Sequence, residues 1–271
     1  MASLSSELDT ASRLAREAGA LLLQVYATDF AVEDKPGDEG PVTEADRRAN
    51  AFLLEALRRH FPGDGVVAEE TQDTSDARRF ARCWYVDPMD GTQEFVRRNG
   101  EFAVHIGLAV AGEARLGVVY RPVGDRLYAG VVGEGCWLEA EGARRQLRVA
   151  GQGAEPPRLV VSRSHRSASS VVLRERLGVG AVRECGSVGL KCGLIAEDAS
   201  DVYVHTSAKS YRWDACAPEA VLRAAGGVFT DLAGVPYRYD GSELQNLRGL
   251  LAGAPWAHAQ LLPRVQALRF F

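Results

Sequence analysis

Between Val86 and Val96 the chain reads VDPMDGTQEFV, and this stretch limits the fold more than any other. An apolar segment, Cys83 to Val86, runs into two aspartates three residues apart, with a proline between them and a Gly-Thr step behind. Proline donates nothing to a sheet ladder, so the spacing predicts a strand that stops at Asp87 and presents that acid at its C-terminal end. That is the end where α/β sheets usually place ligands. Met89 is apolar, so its polar contribution comes through the backbone carbonyl. Gly91-Thr92 opens a predicted helix, TQEFVRR, whose free N–H groups suit an anion such as phosphate. A β-turn is the competing explanation, because Asp-Pro and Asp-Gly are both turn formers.

The surrounding pattern is that of layered helices and sheets. Leu8, Ala11, Leu14, Ala15, Ala18, Leu22 and Val25 fall on one stripe and predict an amphipathic first helix. A polar Gly/Pro-bearing segment, Glu33 to Pro41, reads as a long mobile loop. A second helix is expected over Ala45–His60, closed by Pro62-Gly63. Strand patterns follow at Val66–Ala68, Cys83–Val86, Phe102–Val110, Arg115–Tyr120 and Leu127–Leu138, as an antiparallel meander. AGQGAEPP, from Ala150, marks the best boundary, giving an α+β half over residues 1–154 and an α/β half over 155–271, packed as one compact unit. In the second half, strands at Leu159–Ser162, Ala181–Cys185 and Val202–His205 alternate with helices over Val171–Leu177, from Leu190, and over Asp214–Ala225. The last of these stops at Gly226-Gly227. A hairpin strand, a strand at Gly249–Ala252 and a final helix complete the chain.

Composition narrows the function classes. A net charge of -4 argues against a nucleic-acid polymer as partner, since such surfaces carry a strong basic excess. Small phosphate pockets survive this argument, because they need only two or three cations. The N-terminus lacks the cationic start and apolar core of a signal peptide, and no apolar run reaches the ~18 residues of a membrane span. The five dispersed cysteines show neither CxxC spacing nor paired histidines, and read as reduced core thiols of a cytoplasmic protein.

Three more acids share the pattern of the first two. Glu69, in VVAEET, stands where a strand gives out, although a Glu-Glu pair there also suits a solvated turn. Asp214, in RWDACAPE, is placed to begin a helix, and N-capping is its structural explanation. Thr43 and Asp46, in PVTEAD, fit a capping-box start to the second helix. Folded together, Glu69, Asp87, Asp90 and Asp214 would form an all-carboxylate cluster, which repels itself unless cations neutralise it. Hard oxygen ligands select Mg²⁺ or Mn²⁺ over zinc, and phosphoryl transfer is the chemistry that most often employs them. An EF-hand is excluded because the twelfth residue counted from Asp87 is Arg98. The Asp-x-x-Asp-Gly-Thr spacing is one residue too long for a haloacid-dehalogenase-type phosphatase, which is kept only as an alternative.

WYVDPMDGTQEFV, VVAEET, PVTEAD and YRWDACAPEAVLRAAGG together resemble the signatures of the Mg²⁺-dependent, lithium-sensitive inositol monophosphatase superfamily, in family order from about Asp34 to Asp231. EFVRRNGEFAVHIGLAV, SRSH, GSVGLK and WDACAPE resemble its 3'(2'),5'-bisphosphate nucleotidase branch. The resemblance implies two or three Mg²⁺ ions, with Mn²⁺ as a substitute. One is held by Glu69, Asp87 and the Met89 carbonyl, a second by Asp87, Asp90 and Asp214, and a looser third lies near Glu69. It implies that Thr92, hydrogen-bonded to Asp46, helps deprotonate the attacking water, while the Gly91-Thr92 backbone grips the phosphate. His165, Ser187 and Lys191 look like the branch's substrate contacts, with a solvated lysine as the plain alternative for Lys191. Lys35, His205 and Arg212 are further candidates. The expected activity is hydrolysis of adenosine 3',5'-bisphosphate to AMP and phosphate by a monomer or homodimer. The alternatives are an inositol-1-monophosphatase of broad specificity and a non-catalytic nucleotide-binding module.

Overall fold

The computed structural model describes residues 3–35, 40–71, 79–153, 155–164 and 175–270. Helix α1 (Ser5–Tyr26) buries the whole predicted stripe. Strands β1 (Val32–Asp34) and β2 (Pro41–Thr43) form a two-stranded antiparallel pair, with Val32 opposite Thr43. The segment expected to be a loop is therefore framed by a short ladder: its ends meet through backbone hydrogen bonds that polar composition does not forbid. Helix α2 (Glu44–His60) begins as expected. The Thr43 hydroxyl accepts from Ala45 N at 3.2 Å, and Asp46 Oδ2 accepts from Thr43 N at 2.7 Å.

A seven-stranded sheet follows, built from β3 (Gly65–Ala68), β4 (Arg82–Asp90), β5 (Ala103–Val110), β6 (Glu113–Arg121), β7 (Arg126–Val131), β8 (Gly135–Ala140) and β9 (Ala143–Leu147). The strands lie in sequence order, with α3 (Thr92–Val96) between β4 and β5. Only β3–β4 is parallel; the rest is the antiparallel meander that alternation predicts. The expected Leu127–Leu138 strand is a hairpin, β7–β8, turning where Gly133 adopts a positive φ, and β9 extends it.

The second half supplies β10 (Leu159–Ser162), β11 (Val182–Cys185), α4 (Val188–Ala196), β12 (Val202–His205), α5 (Arg212–Ala224), β13 (Val228–Thr230), β14 (Leu250–Gly253) and α6 (Pro255–Ala267). Its five-stranded sheet has the order β11-β10-β12-β14-β13, parallel around β10 and antiparallel at β14. The helix expected over Val171–Leu177 falls largely outside the described residues. No described helix is long and apolar enough to cross a membrane.

Two cores separate these layers. One lies between α1, α2 and a face of the large sheet, around Leu14, Leu22, Leu53, Ile106 and Leu116. The other joins the opposite face to α4, α5 and the smaller sheet through Cys192, Ala217, Leu222 and Leu251. All five cysteines are buried free thiols. Helix α5 approaches the large sheet over a lane of glycines, Gly107, Gly117 and Gly130, which stand opposite one another on β5, β6 and β7. A Cβ on Gly117 would lie 2.2 Å from the Ala217 carbonyl oxygen, and one on Gly107 2.6 Å from Ala217 N. Backbone therefore packs directly on backbone under the helix that carries Asp214.

Candidate active site

Parallel pairing of β3 and β4 brings the chain just after β3, with Glu69, beside the end of β4. Strand β4 does not stop at Asp87 as expected; it continues to Asp90. Asp87 stands opposite His105 and Asp90 opposite Ala103, so three steps along β4 match two along β5. That surplus residue is a bulge, and Pro88 lies inside it, where no ladder donor is required. The bulge keeps the strand going while Asp87, Met89 and Asp90 all reach one cavity of about 490 Å³. Met89 N donates to Asp87 Oδ1 at 2.9 Å. Gly91 then takes φ 103°, and a Cβ there would lie 3.1 Å from the Glu101 carbonyl oxygen, so glycine alone fits the step into α3.

Asp214 is not the N-cap that its position suggested. It is the third residue of α5, and its Oδ2 reaches back to accept from Tyr211 N at 2.7 Å. Asp46 does the same at the start of α2. Its Oδ1 also lies 3.1 Å from Thr92 Oγ1, which sits 3.3 Å from the Met89 carbonyl. Both helices thus present a carboxylate that first satisfies a backbone N–H and then faces the site.

Glu69, Asp87, Met89, Asp90, Gly91, Thr92, Ser187, Lys191 and Asp214 line this one cavity. Asp46 sits behind Thr92, 1% exposed. His165 lies outside the described residues. Burial pushes the Asp87 carboxyl well above the usual range, and Glu69, Asp90 and Asp214 push it further. Burial does the same to Asp214, reinforced by Glu69 and Asp90. Asp46 is raised to about 7, by burial first and then by Glu69 and Glu70, against hydrogen bonds from Thr43 that lower it. Lys35 Nζ lies 2.6 Å from Glu69 Oε1 and also pairs with Glu70. Burial alone would lower the Lys35 ammonium, but these carboxylates outweigh it and hold it above its ordinary value. Lys35 is thus spent on the acids rather than offered to a phosphate. Among the described residues no lysine or arginine pairs with Asp87, Asp90 or Asp214.

The smaller half supplies the facing wall. Lys191 is 2% exposed, which rules out the solvated-lysine alternative. Its Nζ lies 4.9 Å over the Tyr203 ring and 3.4 Å from the Cys185 carbonyl. The Ser187 hydroxyl donates to Asp90 Oδ2 at 2.7 Å, so its proton serves the acid. His205 lines the cavity, whereas Arg212 packs over Tyr237 at 4.6 Å and donates to Asn246 Oδ1 at 2.6 Å, outside the lining. Two residues of the site carried little warning. Tyr203 looked like any strand aromatic, and His105, whose Nε2 lies 3.3 Å from Asp90 Oδ2, was detectable only as the one polar residue within AVHIGLAV.

A set of oxygen donors in which Asp87, Asp90 and Asp214 lack a balancing cation among the described residues suits a hard divalent ion, and a layered fold that carries it at adjoining strand ends defines a metal-dependent phosphatase. The chain belongs to the inositol monophosphatase family, whose sequence model matches residues 3–268. It is 39% identical over 235 residues to the 3'(2'),5'-bisphosphate nucleotidase CysQ of Escherichia coli, covering 86% of this chain and 93% of that one. The inositol-1-monophosphatase of Bacillus subtilis is 29% identical over 256 residues, covering 93% and 94%. Among solved structures, CysQ from Bacteroides thetaiotaomicron superposes with a TM-score of 0.76 at 30% identity, covering 92% of this chain and 97% of that one. An inositol monophosphatase from Anabaena superposes with a TM-score of 0.79 at 26% identity, covering 97% and 96%. The haloacid-dehalogenase alternative falls with this membership.

Proposed function

We propose that the chain is a Mg²⁺-dependent 3'(2'),5'-bisphosphate nucleotidase that hydrolyses adenosine 3',5'-bisphosphate to AMP and phosphate. The observation that carries this reading is the two-sided cavity: Asp87, Asp90 and Asp214, without a lysine or arginine partner among the described residues, on one wall, and a buried Lys191 over an aromatic ring on the other. A substrate with two phosphates and a ring has a use for both walls. In this reading Glu69, Asp87 and the Met89 carbonyl would hold one ion, Asp87, Asp90 and Asp214 would hold a second, and Glu69 would also serve a looser third. Bound divalent ions supply Lewis acidity toward the phosphate and make water a better nucleophile near neutral pH.

The chain's own groups do the rest. Thr92 Oγ1 lies within hydrogen-bonding distance of Asp46, so a proton taken from the attacking water has a short path to a carboxyl raised to about 7. The Gly91-Thr92 backbone amides orient the phosphate. Lys191 meets the second phosphate as a point charge, and His165 and Ser187 complete the substrate wall, Ser187 chiefly through Asp90. The non-catalytic alternative gains no support from a site in which every proposed ligand is present.

The deciding experiment is phosphate release from adenosine 3',5'-bisphosphate, inositol 1-phosphate and fructose 1,6-bisphosphate, with and without Mg²⁺. The nucleotide should be turned over best and only with the metal. Equal or faster release from inositol phosphate would overturn the nucleotidase reading and leave the phosphatase class standing.

A further inference from the structure

The Asp90 carboxylate is held on one side only. Its Oδ2 accepts from the Ser187 hydroxyl at 2.7 Å and from Val188 N, and it lies 3.3 Å from His105 Nε2. His105 comes from the opposite strand, is wholly buried and does not line the cavity, so it approaches Asp90 from behind. The neighbouring helix makes room for it: a Cβ on Gly189 of α4 would lie 2.3 Å from His105 Nε2. The imidazole projects from the face of β5 whose other members, Ala103, Gly107 and Ala109, are small, so it is the one side chain there long enough to cross to Asp90.

Its hydrogen can be placed. A carboxylate only accepts, and the Ser187 hydroxyl has a single proton, already directed to Oδ2 along the shorter contact. Nδ1 is buried without a partner, so Nε2 carries the hydrogen and donates to the Ser187 oxygen at 3.2 Å, beside Asp90 Oδ2. The unpartnered Nδ1 carries a desolvation cost that packing alone does not explain.

We propose that His105 is a positioning residue for Asp90: Nε2–H donates to Ser187 Oγ at 3.2 Å and fixes that hydroxyl, which with Val188 N immobilises Oδ2 so that Oδ1 is the oxygen presented to a divalent cation. This rests on the reading of Asp90 as a cation ligand. Partners that orient a metal ligand in this way typically change metal affinity about 10–100-fold when removed. The competing arrangement, in which the imidazole itself binds the ion beside Asp87 and Asp90, requires Nε2 to carry a lone pair instead of the proton.

The test is Mg²⁺ titration by calorimetry on the wild type, Asp90→Asn, His105→Leu and His105→Gln, with thermal melts of each. Glutamine places an N–H close to the position of Nε2, whereas leucine fills the volume without a donor. His105→Leu is expected to weaken Mg²⁺ binding about tenfold or more, and His105→Gln to return it to within about threefold of wild type. Unchanged affinity in a folded His105→Leu, or equal loss in both variants, overturns the proposal. Nitrogen NMR of the wild type, alone and saturated with Mg²⁺, provides the arm that needs no substitution. Nε2 should be protonated in both states, and an unprotonated Nε2 in the loaded protein overturns the positioning role in favour of direct ligation. If Asp90→Asn binds Mg²⁺ like the wild type, the assignment of Asp90 as a ligand fails instead.

Discussion

Asp87 and Asp201 are both 1% exposed aspartates, and their surroundings are opposite. Asp201 is wrapped by one arginine: Arg158 N and Nε reach its Oδ2 at 2.6 and 2.9 Å, and Nη2 reaches Oδ1 at 2.7 Å. Asp87 is surrounded by Glu69, Asp90 and Asp214, each of which disfavours its ionised form. The first is a finished ion pair that ties the start of β10 to the start of β12. The second has no lysine or arginine partner among the described residues, and in the proposed function a bound cation would take that place. A buried carboxylate is informative about function when its charge is left open.

The largest effect should come from Asp87→Asn, which removes an oxygen proposed to serve two ions. Metal-dependent turnover should fall about 10³-fold, beyond the ~10–100-fold typical of outer partners. The metal-free protein should melt no lower than wild type, because one source of repulsion is gone. Calorimetry and phosphate release together check this, and a large drop in metal-free melting would erase the contrast with Asp201. Next comes Asp201→Ala, which leaves Arg158 paired, among the described residues, only with the exposed Asp198. It should cost about 3 kcal/mol in denaturant unfolding, at the low end for a broken buried pair because Arg158 is partly exposed, with phosphate release per folded molecule little changed. Gly117→Ala should cost about 2 kcal/mol by overpacking, and unlike Asp201→Ala it should also weaken Mg²⁺ binding, because α5 must shift.

The smallest effect is a pH dependence. A carboxyl whose folded pKa is raised contributes stability that is fully present below its unfolded value of 3.8 and is lost as pH rises through about 7, the folded value for Asp46. Metal-free wild type should therefore lose stability relative to Asp46→Asn between pH 5 and 8, by about 1 kcal/mol or more, and the gap should narrow when Mg²⁺ is added. Urea midpoints of the two proteins across this range decide it. A gap that does not move with pH would place Asp46 among settled acids like Asp201.

The parts of the site that were legible in the sequence are those that one stretch of chain writes locally. The Thr43–Asp46 capping box, the acid run at Asp87–Asp90 and the Gly91 step depend on neighbours within four residues, and each appears where the spacing puts it. Helix periodicity was equally readable, since α1 and α2 each bury one continuous stripe. What stayed hidden depends on register between distant segments. That Pro88 makes a bulge and not an end is decided by β5, which keeps Ala103 paired to Asp90. That Lys35 serves Glu69 and Glu70 is decided by the β1–β2 pair bringing it across. That Lys191 is buried follows from α4 packing between Tyr203 and Cys185, which periodicity in a nine-residue helix cannot show.

The glycine lane beneath α5 bears on how such a protein can change. Gly107, Gly117 and Gly130 already hold the smallest side chain, so every replacement adds volume between sheet and helix. The distance from Asp214 to the acids of β4 can then shift only in steps that displace the whole helix. Tyr203, His205 and Lys191, on the smaller sheet and α4, carry no such restriction from the lane. If that wall contacts substrate as proposed, preference can drift there one residue at a time, while the spacing of the carboxylates is inherited intact.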